Sequence, residues 1–159
     1  LSLRRQRQMC IRDRPGRVLV LNGLGDGPSL ADIDKIRQRV GGEWIVRGGR
    51  GERSTDLWAD LTSAEVVVTH AGQNAVADVA AARRPAVVVA AERPHEEQVA
   101  TVRALRRAGL GVPLESWPDL DRWPDLLKQA RRRGAEGWDR WNPGNGAQRA
   151  ADAIEDAAR

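Results

Sequence analysis

Residues 69–78 read THAGQNAVAD, and they follow directly on the apolar run EVVV at 65–68. A run rich in β-branched residues that stops at His70, turns at Gly72 and continues as an alanine-rich stretch predicts a strand over 65–70 and a helix over 72–82. The helix must end before Pro85, and PAVVVAA at 85–91 predicts the next strand. Two strands joined through a helix of this length form a βαβ unit, which requires the strands to be parallel. Both runs are apolar at consecutive positions, as expected of strands covered on both faces.

The same alternation extends outward. RVLVLNG (17–23) predicts a first strand ending in Asn-Gly, and SLADIDKIRQRV (29–40) a helix with Ser29 as N-cap. EWIVRGG (43–49) predicts a second strand and DLWADLTSA (56–64) a short helix. Downstream, HEEQVATVRALRRAG (95–109) has a helical period stopped by Gly109, LGVPL (110–114) predicts a fifth strand, and two closing helices follow at 123–134 and 146–159. The fold class is therefore α/β: a single doubly wound, Rossmann-like domain with a parallel sheet, without internal repeats.

Charge and composition narrow the function. The formal net charge of +4 arises from residues 1–14, LSLRRQRQMCIRDR; without their five Arg and one Asp the chain has 21 basic and 21 acidic residues. That segment shows no helical or strand period and resembles translated adapter sequence. It is expected to be non-native and disordered, with the domain proper at 15–159. No nucleic-acid partner is expected of the remainder. The only cysteine, Cys10, lies in the same segment, so the domain has neither disulfide nor thiol nucleophile. No apolar run approaches the roughly 20 residues of an integral membrane segment.

In a doubly wound sheet ligands meet the carboxyl ends of the strands, and three such ends carry polar or glycine-rich residues. LNGLGDG (21–27) supplies Gly23 and Gly25, which allow close backbone approach but by themselves describe only a tight turn. At the second end, Gly72 permits a sharp turn, and Asn74 with the free N–H groups of the following helix can receive a diphosphate. His70 can donate to a phosphate oxygen, and Asp78 can accept the hydroxyls of a ribose. The third end supplies Glu97 and Gln98, a carboxylate and an amide that offer hydrogen-bond acceptors and a donor. Each residue singly also has an ordinary account: strand-end histidine, turn asparagine, helix charge, and acidic residues favoured at a helix N-terminus.

Taken together, His70, Gly72, Asn74 and Asp78 resemble the H-x-G-x-N-S-x-x-E donor box of glycosyltransferases with the two-domain B-type fold, with Ala75 in place of Ser and Asp78 in place of Glu. RRPAVVV and HEEQ (95–98) resemble that fold's next strand and its closing pair, and the likeness over residues 17–112 is nearest to the C-terminal half of family 28. The resemblance implies a diphosphate site at Gly23, Gly25, His70, Gly72, Asn74 and Ala75, ribose at Asp78, and sugar at Glu97 and Gln98. It implies a UDP-hexose or UDP-N-acetylhexosamine donor, no metal and no cofactor, and an acceptor and general base on a separate N-terminal domain. The full-length protein would be a cytoplasmic hexosyltransferase, peripheral at the membrane, and this stretch alone inactive. A stand-alone donor-binding subunit and a non-catalytic nucleotide-binding module are the alternatives.

Three further expectations concern residues outside that box. The stretch RGGRGERST (47–55), where relatives place an apolar residue against the base, is charged and Gly-rich. Trp117, Trp123, Trp138 and Trp141 are expected to be buried in helix packing. Arg131, Arg132 and Arg133 are expected to form a solvated helix end.

Overall fold

A computed structural model describes residues 16–23, 28–49, 51–91 and 96–158. Five strands form one parallel sheet: β1 (Arg17–Leu21), β2 (Glu43–Arg47), β3 (Val66–His70), β4 (Ala86–Val89) and β5 (Val112–Leu114), in the order β2-β1-β3-β4-β5. The helices are α1 (Leu30–Val40), α2 (Leu57–Ser63), α3 (Gln73–Ala82), α4 (Glu97–Ala108), α5 (Trp123–Arg133), α6 (Trp138–Trp141) and α7 (Gly146–Ala157). The doubly wound sheet read from the sequence is what forms. Among the described residues, no helix is long and apolar enough to cross a membrane.

Alternation along each strand divides the core in two. Leu19, Val67 and Val88 face α2, α3, α4 and α6, where they meet Leu61, Val76, Val79, Val102, Leu105 and Trp138. Val18, Val20, Val66, Val68, Val87 and Val89 face α1 and α5, meeting Ile33, Ile36, Trp123 and Leu127. Because both faces are covered, the strands read as continuous apolar runs.

Local chemistry sets the helix ends. Ser29 caps α1 by accepting from the Asp32 N–H at 3.1 Å, and Asp56 caps α2 by accepting from Ala59 N–H at 2.9 Å. Gly109 ends α4 in the left-handed region at φ 69°. The four-residue α6 and a 3₁₀ turn at Leu120–Arg122 carry no signal a periodicity reading detects.

The tryptophans and the arginine run depart from expectation. Trp123 and Trp138 are fully buried, but Trp117 and Trp141 remain 36% and 38% exposed. Trp117 lays one side of its ring against Trp123, with centroids 4.9 Å apart, and Trp141 closes a helix too short to cover it. Arg131 and Arg133 do more than solvate a helix end. Arg131 pairs with Glu65 at 3.1 Å, and Arg133 donates to the Gly111 carbonyl at 2.5 Å, so α5 is tied to the sheet.

The buried indole of Trp138 donates to the Arg84 carbonyl at 2.9 Å. Trp138→Phe would leave that carbonyl without its donor and should lower unfolding free energy by about 1–3 kcal/mol, whereas Trp141→Phe should stay within about 0.5 kcal/mol. Urea unfolding of the two variants checks the difference.

Candidate functional site

The chain passes from β1 to β2 on one side and then to β3 on the other, so the strand order reverses between β1 and β3, and in doubly wound sheets the crevice for a ligand lies at the carboxyl edge of such a switch point. His70 occupies that switch point. A Cβ added to Gly23 would lie 2.7 Å from His70 Nε2, and one added to Gly72 would lie 2.5 Å from its Cε1. Only glycine on both sides leaves room for the ring. The Gly72 N–H donates to His70 Nδ1 at 3.0 Å. An accepting Nδ1 carries a lone pair, so in the neutral ring the proton sits on Nε2, at the end of the ring nearest Gly23.

The neighbouring backbone is held from both sides. Thr69 Oγ1 donates to the Leu21 carbonyl at 2.9 Å, and the Asn22 N–H donates to the Arg47 carbonyl at 2.8 Å. Gly48 lies so close to the Asn22 carbonyl that a side chain there would collide with it. Thr69 and Asn22 had no place in the sequence motif, since a residue that braces a strand end through its backbone leaves no pattern.

Past the turn, α3 begins with its donors uncommitted by a cap. Gly72 is the N-cap and offers no side chain, and the first helical bond runs from Val76 N–H to the Gly72 carbonyl. The N–H groups of Gln73, Asn74 and Ala75 therefore have no acceptor within the helix, in contrast to the side-chain-capped α1 and α2. Asn74 is exposed, whereas Ala75 is buried and can offer only its backbone N–H.

Asp78 lies one turn further on and is half-buried, and among the described residues none hydrogen-bonds or pairs with it. Burial pushes its carboxyl above the ordinary aspartate value. Asp60 shows the opposite resolution. Burial alone would raise it, but Arg47 and Ser54, each 2.7 Å away, more than offset this and hold it below the ordinary value. Arg47 thus meets two carboxylates, Asp60 and Glu52, the latter at 3.1 Å.

At the third strand end the two predicted residues differ in exposure. Glu97 is exposed in the first turn of α4, but Gln98 is only 4% exposed, and its Oε1 accepts from Ala71 N–H at 3.1 Å and Ala91 N–H at 3.0 Å. The Gln98 oxygen is thus occupied by backbone. Gly25 and His95 lie outside the described residues. A groove of about 530 Å³ along α5, lined by Asp121, Arg122, Asp125 and Arg132 among others, contains none of the predicted site residues. We place the candidate site at the strand ends, because the groove lacks the backbone donors and the switch point that the crevice combines.

The crevice can be compared with known proteins. Residues 54–116 match the glycosyltransferase family 28 C-terminal domain. The match covers α2 through β5 and so contains His70, Gly72, Asn74, Asp78, Glu97 and Gln98. Acinetobacter baumannii MurG is similar in fold, with a TM-score of 0.68 at 15% identity over 98% of this chain and 53% of that one. The glycotransferase of kitacinnamycin gives a TM-score of 0.55 at 19% identity over 90% of this chain and 44% of that one. This chain thus spans about half the length of the structures it resembles. No curated protein sequence matches it.

An acid with a raised folded-state pKa holds its proton more tightly when folded, so its contribution to stability falls as pH rises through the ordinary aspartate range and levels off above the raised value. Asp78→Asn removes that dependence. The variant's thermal midpoint should match the wild type near about pH 3, exceed it by a margin that grows as pH rises through the ordinary aspartate range, and keep that margin once the raised value is passed; a difference independent of pH throughout would contradict an uncompensated carboxylate at this position.

Proposed function

We propose that this domain binds the nucleotide-sugar donor of a glycosyltransferase, a UDP-linked hexose or N-acetylhexosamine, and that the acceptor and the base that activates it come from another domain. The observation that carries the reading is the meeting of His70, Gly23 and Gly72 at the β1/β3 switch point, directly before a helix whose first N–H groups are uncapped. Within this reading the diphosphate lies against the first turn of α3, receiving N–H bonds from residues 73–75 and one from His70 Nε2. Gly25, two residues beyond Gly23 in the sequence, and the Asn74 amide would complete the cradle. Asp78 takes the two ribose hydroxyls, for which an unpaired carboxylate needs no rearrangement. Glu97 faces the sugar.

The chemistry is displacement at the anomeric carbon with inversion. The acceptor oxygen forms its bond to that carbon as the bond to the diphosphate oxygen breaks, and the acceptor proton leaves to the base. Charge grows on the departing diphosphate, where preorganised N–H donors and the α3 N-terminus favour it more than they favour the intact donor. By itself this chain is then a binding module that transfers nothing.

Calorimetric titration with UDP tests the site. Asp78→Ala should weaken binding by about 1.5–3 kcal/mol, the range for hydrogen bonds to a charged group, without lowering the thermal midpoint. Unchanged affinity would remove Asp78 from the site.

A further inference from the structure

The last paired residues of β3 and β4 are His70 and Val89, and beyond them the strands turn away into their loops. Ala71 N–H still reaches the Val89 carbonyl at 3.1 Å, while Ala90 N–H turns to Leu114 on the other side. Gln98 Oε1 sits between the diverging ends and accepts from Ala71 and Ala91 together. One side-chain oxygen therefore continues the β3/β4 ladder a rung past the point where the strands can pair. Two backbone donors also fix the amide's orientation, because the flipped amide would set its NH₂ group against both N–H groups.

From this geometry we infer that Gln98 is a positioning residue. Its carbonyl oxygen locks the ends of β3 and β4, and through Ala71 it fixes the turn at Gly72 and the first N–H groups of α3. The route is short, because Ala71 is 1% exposed and immediately precedes the N-cap of α3. The α4 side of the lock begins at Glu96, which adopts the left-handed region at φ 51° and sets the direction of the first turn that carries Gln98. Gln98 thus joins the two helix N-termini that flank the crevice. The inference rests on the donor-binding reading only for its effect on ligand affinity.

Two substitutions separate the lock from a direct contact. Gln98→Glu keeps an oxygen that can accept both N–H groups and deletes the NH₂ donor, while Gln98→Met deletes the lock. Gln98→Asn, which withdraws the amide by one methylene, takes the place of Gln98→Met if that variant does not fold. Amide hydrogen exchange at Ala71 and Ala91 and the Kd for UDP are measured for each. Losing the lock should speed Ala91 exchange about tenfold or more relative to Val67 and Val88, and should raise the Kd about five- to tenfold. Gln98→Glu should leave both within about threefold of the wild type. Unaltered Ala91 exchange without the lock would overturn the inference. So would a Gln98→Glu protein that keeps Ala91 protected yet loses UDP as fully as Gln98→Met, because Gln98 would then touch the ligand through its NH₂. A wild-type chain that binds no UDP would instead refute the donor-binding reading, and Ala91 exchange alone would then support or overturn the lock.

Discussion

A strand paired along both edges and covered on both faces has nowhere to present a polar group except at its ends. β3 is in that position: it lies between β1 and β4, and Val66, Val67 and Val68 are each at most 1% exposed. Its first polar side chains, Thr69 and His70, come at the carboxyl end, where the chain order reverses across the sheet. Thr69 donates to the neighbouring strand and His70 accepts from the turn at Gly72. The glycines around His70 follow from the same constraint, because a ring at a closed strand end fits only where the adjoining backbone carries no side chains.

Asp60 and Asp78, both half-buried, show how the fold distributes electrostatic cost. Asp60 is compensated by Arg47 and Ser54, and the three knit β2, α2 and their connection together. Asp78 has only burial acting on it, which raises its carboxyl above the ordinary value. Among the described residues no cation stands against it, unlike Asp60.

The sequence made the architecture legible because burial on both faces writes itself as unbroken valine and alanine runs. The caps at Ser29 and Asp56 and the stop at Gly109 are local chemistry that a reader can see. His70, Gly72 and Gly23 could be placed together once the topology was known, since doubly wound sheets bring alternate strand ends to one edge. Gln98 was legible as a polar residue at the third strand end but not in its role, because its partners are the backbone of Ala71 and Ala91, and backbone has no sequence signature. The same holds for Thr69 on Leu21 and for Trp138 on Arg84. Trp117 and Trp141 were misplaced for a different reason: hydrophobicity predicts a preference for burial, and only the tertiary arrangement decides whether cover exists.

The central claim is that the β1/β3 switch point and the first turn of α3 form the nucleotide site. Titrating UDP into ¹⁵N-labelled protein and following amide shifts tests this residue by residue. The account predicts that the largest changes fall on Gly23 and on residues 72–75, while Gly16 and Gly42 at the opposite edge of the sheet stay still. Shifts concentrated along α5 around Asp125 and Arg132, or no shifts at saturating UDP, would contradict it.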